Sequence, residues 1–238
     1  MEKFSFSLDG RIFEYDLTIK KIKSVRLKLD DDSNIIVSAP RHATRKFIEN
    51  FIYQNKDYVD KKIAIKNEIN VLHNIKNYKT GEYFLFLDEK KMIASKKYSK
   101  NQVFMENDTL YILSVSDDFE TRKKLYEKFI KKSAKDVFLK MVDELYPLFS
   151  KKISSTPKVT IRFMKTRWGS AKPSDNKITL NAKLMYTNMD LIRMVIVHEF
   201  CHFYHLNHSK NFYDKLLSII PDYRKKFRLY NKKFSHLT

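Results

Sequence analysis

The chain has 238 residues, with 47 Lys or Arg against 28 Asp or Glu, a net charge of +19. Apolar residues make up 43%, including 18 Phe and 14 Tyr, which is enough to bury a core and too apolar for a disordered chain. Such a charge favours anionic partners such as nucleic acid, although the lysines are spread along the whole chain and no base-reading motif or arginine-rich arm stands out.

Cys201 is the only cysteine, which excludes an intramolecular disulfide and suits a reducing compartment. The opening MEKFSFSLDGRIFEYD carries acids early and lacks an apolar h-region, so no signal peptide is read. The run MVIV near the histidines is far too short to span a membrane. These readings predict a cytoplasmic protein with no membrane contact and leave its oligomeric state open.

The first forty residues read as four strands, FSFSL, RIFEYDLTI, SVRLKLD and NIIVSAP, by their partial alternation of apolar and polar residues. Asp9-Gly10 and the DDDSN segment read as turns. One helical segment is expected over 43–68, with Phe47, Ile48, Phe51, Ile52, Val59, Ile63 and Ile65 as its apolar stripe. Residues 69–115 return to strands, EYFLFLDEKKMIA and QVFMENDTLYILSV, with turns at Asp88-Glu89 and Asn107-Asp108. A long amphipathic helix is expected over 118–149. KVTIRFM and KITLNAK read as strands, with KTRWGSAKPSDN as the link between them, and helices are expected over 188–206, 209–219 and 222–235. Asn188 suits the N-cap of the first of these. No repeat, low-complexity tract or linker is visible. The fold class is α+β: a β-rich N-terminal region over 1–115 with one helical segment, then a mainly helical domain over 116–238.

Four of the seven histidines fall within VIVHEFCHFYHLNHSKNF. His198-Glu199-Phe200-Cys201-His202 fits H-E-x-x-H. On a helix, residues four apart stand one above the other, so two imidazoles can reach one zinc ion at about 2.0–2.1 Å. Glu199 then stands beside the metal as a general base. Two alternatives exist for the third ligand. His205 lies on the same helical face, but three ligands in one row cannot surround a tetrahedral ion. His208 lies beyond Leu206-Asn207, where Asn tolerates the left-handed conformation that ends a helix and turns the chain back. The spacing therefore favours His208, which also matches the metzincin H-E-x-x-H-x-x-x-x-x-H pattern, with His205 standing where that pattern has Gly. Ser209 would cap the next helix. Cys201 faces away from the ligand row and is expected to be a small buried residue.

The stretches RWGSA, ITLNAKL, VIVHEFCHFYHLNHSKNFY and PDYRKKF resemble the YgjP-like metallopeptidase family, a zincin group related to the WLM and SprT proteins. The resemblance is close over about 157–235 and looser over SVRLKLDDDSNIIVSAPRHATRKFIENFI. It implies a zincin-like metallopeptidase domain, zinc as cofactor on His198, His202 and His208, Glu199 as catalytic acid/base, and a protein or peptide substrate. It also implies that the strand Ile178–Asn181 holds an extended substrate by strand addition. Ala171 departs from the Cys usual after R-W-G-S, at a position outside the ligand set. Trp168 reads as a core anchor. Arg167, Asn181 and Tyr223 are the candidate substrate-binding residues, and Tyr204, Tyr213 or Tyr223 could each stabilise an oxyanion.

The expected activity is peptide-bond hydrolysis by a zinc metallopeptidase. The alternative is a basic nucleic-acid-associated protein, with sequence-blind contact through lysine-rich surface of the N-terminal region or the last helix and a structural or weakly active zinc site.

Overall fold

The fold is seen in a computed structural model that describes residues 2–30, 34–72, 75, 77–234 and 237, without the side chains of 65–72. The chain forms two compact units that divide between Asn70 and Val71. The expected boundary near 115 differs, because the second sheet shares its core with the helices that follow it. Phe84, Ile93, Leu110 and Ile112 belong to one cluster with Leu125, Phe138 and Ile196.

The first unit holds β1 (Glu2–Leu8), β2 (Arg11–Ile19), β3 (Arg26–Leu29), β4 (Ile35–Ala39), α1 (Arg45–Gln54) and α2 (Lys56–Leu72). Asp9 and Gly10 both take left-handed backbone, φ 51° and 73°, giving the two-residue turn that suits the twist of the β1–β2 hairpin. β2 and β4 pair in parallel, and the sheet order is β1-β2-β4-β3. Its core joins Phe13, Tyr15, Ile35 and Val37 to Ile48, Ile52 and Val59 of the helices. The single helix expected over 43–68 is two helices that meet at Asn55, whose side-chain amide donates to the Phe51 carbonyl at 2.8 Å. Phe47 is 57% exposed and does not belong to the apolar stripe. The expected turn at DDDSN and the side chain of Ile65 lie outside the described residues, as does Ser235 at the end of the last predicted helix.

The second unit opens with β5 (Tyr83–Phe86), β6 (Glu89–Lys97), β7 (Gln102–Glu106) and β8 (Thr109–Ser114), in the order β5-β6-β8-β7. The β5–β6 turn is Leu87-Asp88, φ 53° and 67°, one residue before the expected position. Both four-stranded sheets follow the same path: two hairpins whose second strands pair in parallel. This is a repeat of topology that the sequence does not display.

α3 (Phe119–Leu145) is capped by Asp118, whose carboxylate accepts from the Thr121 N–H at 2.8 Å. Leu125, Ile130, Ala134, Phe138, Met141 and Leu145 are buried at helical spacing. A three-stranded sheet follows, made of β9 (Lys158–Arg162), β10 (Gly169–Lys172) and β11 (Lys177–Asn181), in the order β10-β11-β9. β10 lies inside the stretch expected to be a link. After a tight turn at Ala182–Tyr186 come α4 (Met189–Cys201), α5 (Lys210–Ile219) and α6 (Tyr223–Phe234). α4 packs against β10, β11, α3, α5 and α6, and nine of its thirteen residues are buried, so the helix that carries the histidines is the core helix of this unit. Fully burying one of its aliphatic side chains is worth ~1.5–3 kcal/mol, which holds the helix rigidly in place. The chain is α+β.

Candidate metal centre

α4 begins at Asn188, whose side-chain oxygen accepts from the Leu191 N–H at 2.9 Å, and Asp190 lies in its first turn. The helix ends at Cys201, earlier than the expected 206, with His202 as the C-cap. The Phe203 N–H bonds to Phe200 O, and the Tyr204 and His205 N–H groups both bond to Cys201 O. This tight turn moves His205 off the helical row. The left-handed turn expected at Asn207 is absent, since Asn207 is not among the described residues with positive φ. The reversal happens upstream instead, and the following segment carries His208 back over the helix. Ser209 is the N-cap of α5 by position, without a hydroxyl hydrogen bond.

His198, His202 and His208 converge, with one ligand atom from each lying within 4.8 Å of the others. The Nε2 atoms of His198 and His208 are 3.0 Å apart. Two ligands about 2 Å from a tetrahedral ion stand ~3.3 Å apart, so this pair fits one metal. His202 Nδ1 lies 3.2 Å from the His205 carbonyl. A carbonyl only accepts, so Nδ1 carries the proton and Nε2 keeps its lone pair for a metal. His205 thus takes part through its backbone, while its imidazole stays outside the cluster. On the far side of His198, Nδ1 lies 3.1 Å from Tyr223 Oη. Burial first, then the neighbouring His202 and His208, pushes His198 down to about 3, so its ring stays neutral. Burial likewise lowers His202.

Phe212, in the first turn of α5, is the floor of the cluster. Its ring centroid lies 4.9, 4.8 and 4.8 Å from those of His198, His202 and His208. The sequence reading missed it; the signal was an apolar residue one turn beyond His208.

Glu199 leaves α4 toward β10 and is buried. A Cβ built on Gly169 would stand 2.7 Å from Glu199 Oε1, so only glycine admits the carboxylate here. Burial pushes Glu199 up to about 8, opposed by the Arg167 charge and the Ala171 backbone N–H. Its Oε2 has no hydrogen-bond partner. Three convergent imidazoles, and a buried carboxylate oxygen without a partner on the same helix, are a donor set that fits a cation.

The other candidates divide. Trp168 is buried in the core, as expected. Arg167 is exposed, and its carbonyl accepts from the Asn181 amide at 2.9 Å. Asn181 is fully buried, and its side chain makes four hydrogen bonds, to Met164 N, Met164 O, Lys183 N and Arg167 O. No capacity remains for substrate, so Asn181 clamps the 164–167 loop rather than lining a binding site. β11 is paired on both edges, by β9 in parallel and β10 antiparallel, so Ile178–Asn181 offers no free edge to a substrate. The outer strands are β10 and β9, and of these β10 is the one that meets Glu199. Among the tyrosines, Tyr204 donates to the Phe149 carbonyl at 3.2 Å, Tyr223 meets His198, and Tyr213 stands beside His208 under the Arg224 guanidinium. Cys201 is buried, and burial pushes its thiol up to about 12.

A family model described as YgjP-like, metallopeptidase domain, matches residues 23–232. The chain belongs to the YgjP-like metallopeptidase family. Membership implies a metal ion and a protein or peptide substrate, and the histidine triad is a set that can hold the ion. A comparison with curated proteins found no match. Among solved structures, the metallopeptidase zymogen abylysin of Pyrococcus abyssi is similar at 18% identity and a TM-score of 0.35, over 40% of this chain and 93% of that one. No helix among the described residues is long and apolar enough to cross a membrane.

Proposed function

We propose that the YgjP-like chain hydrolyses peptide bonds with a zinc ion held by His198, His202 and His208 and with Glu199 as general base. One observation carries this reading: three imidazoles converge at the end of a core helix, where the buried Glu199, next after His198, has a partnerless Oε2 and packs against Gly169 of the outer strand β10. Zinc in such a site supplies Lewis acidity, polarising the scissile carbonyl and acidifying water. Three nitrogens would hold the ion with one protein donor fewer than the four of a closed structural site, as a catalytic site requires.

The chain's own groups do the rest. In its ionised form, which a bound dication would favour, Glu199 accepts the proton of the attacking water and delivers it to the leaving amine. Gly169 and the Ala171 N–H hold the carboxylate in place. Tyr223 and the His205 carbonyl orient His198 and His202 through their Nδ1 atoms. β10, as an outer strand, takes an extended substrate by backbone pairing.

The test combines metal analysis with peptide cleavage. Wild type and Glu199→Gln should each carry one zinc per chain, and only wild type should turn over. His208→Ala should lose the metal while His205→Ala keeps it. Turnover by Glu199→Gln, or metal retained without His208, would sink the assignment.

A further inference from the structure

The residues on either side of the metal centre are basic, and few have acidic partners. Between Glu144 and Asp175 the chain has no acid and seven basic residues. That stretch builds β9, the 163–168 loop and β10, the part of the structure that reaches Glu199. Lys165 and Arg167 are exposed, and no ion pair involves either among the described residues. Lys172, at the end of β10, is paired with Asp175 at 2.8 Å. The segment that brings His208 over the site has no acid from Phe200 to Tyr213 and exposes Lys210. Beyond it, Asp214 on α5 is exposed, and Asp222, just before α6, is engaged by Lys226.

Arg167 differs from a solvated surface cation in two ways. Its backbone is fixed, because the Asn181 amide holds its carbonyl at 2.9 Å and the Asn181 N–H holds the next carbonyl, Trp168 O, at 2.8 Å. It also stands two residues before Gly169, the point of closest approach to Glu199, and its charge is felt by that carboxylate. A guanidinium with five donors, in no ion pair among the described residues, is fitted for a carboxylate from outside. The geometry at hand favours a peptide over a nucleic acid. β10 is an open edge of strand width, and an extended peptide paired to it projects alternate side chains to one face. A single backbone-fixed arginine, with Lys165 two residues before it, matches one or two acidic side chains rather than a long row of phosphates.

Resting on the metallopeptidase reading above, we infer that the site selects acidic peptide segments, with Arg167 as the specificity-determining residue and Lys165 and Lys210 as flanking contacts. Arg167 binds a substrate carboxylate while β10 holds the backbone.

The experiment uses the full-length, zinc-loaded chain and three peptide libraries of equal length, whose varied positions are held to Asp/Glu, Asn/Gln or Lys/Arg. Binding is measured by anisotropy on Glu199→Gln, and cleavage on wild type. The acidic library should bind at least about tenfold tighter than the neutral one, the size of one charge-assisted bidentate contact. The ratio kcat/KM should follow the same order. Arg167→Glu should invert the order of acidic and basic libraries, and Arg167→Lys should restore part of the acidic preference. Equal binding of acidic and neutral libraries overturns the inference. So does an Arg167→Ala variant that slows all three libraries alike, because that marks a role in folding or in the chemical step. Duplex DNA that competes through Arg167 more tightly than any peptide also overturns it, in favour of a nucleic-acid partner. Acidic peptides that bind through Arg167 but are never cleaved would leave this inference standing and remove the hydrolase reading.

Discussion

Gly169 has no side chain because Glu199 occupies the space where one would be. Gly169→Ala should therefore keep the fold and the metal but push the carboxylate aside. A misplacement of about 1 Å costs on the order of 100-fold in turnover, so kcat should fall by that order while metal content is unchanged. Tyr223→Phe removes the group that faces His198 Nδ1. Metal affinity should fall by about 10–100-fold in a chelator competition, with the fold intact. At this scale the sequence was legible where chemistry demands a fixed spacing. The convergence of His198 and His202 follows from helical geometry, and that of His208 from the need for a group outside the row; the ligand and base roles are proposed. Phe212 and Gly169 were not legible as parts of the site, because their roles depend on which surfaces meet after folding.

At the scale of elements, the long periodic segments were readable and the short ones were not. α3, with buried residues at regular helical spacing, matches its sequence reading to within a few residues. β10 was missed because GSAK has no apolar alternation, and a four-residue edge strand owes its existence to its partner β11 rather than to propensity. The same blind spot gave β11 a substrate edge that pairing on both sides removes. α4 was read too long, since nothing in Phe203 or Tyr204 announces a break, and the helix ends where the chain must turn to bring His208 back. Asn181 shows how a residue near a site can serve it indirectly. Asn181→Ala removes the side-chain partner of the Met164 N–H, the Met164 and Arg167 carbonyls and the Lys183 N–H, and should cost ~2–4 kcal/mol in urea unfolding. A loss below about 0.5 kcal/mol would mean the loop is held by other contacts.

For the whole molecule, every residue of the candidate centre lies in the unit Val71–Thr238. A chain beginning at residue 71 should fold cooperatively and bind one metal ion, readable by calorimetry; failure to fold would show that the first unit is needed for stability. The charge is unequal too: 33 basic against 17 acidic residues over 71–238, but 14 against 11 over 1–70. The lysine-rich N-terminal surface expected to meet nucleic acid is thus nearly balanced, and in the last helix Lys226 and Lys233 are paired with acids. Binding to duplex DNA should be weak and salt-sensitive, with a log–log slope of roughly −0.9 per phosphate contacted. The acid-free wall beside Glu199 has one more consequence, for the chain's dealings with itself. A protease stored at high concentration meets its own unfolded copies more often than any other polypeptide. Those copies carry a net +19, yet they hold two acidic runs, Asp30-Asp31-Asp32 and Asp117-Asp118-Phe119-Glu120. Self-cleavage in concentrated, partly unfolded samples should therefore fall at these two runs, and reversing the charge at Lys165 and Arg167 should move it to the lysine-rich segments.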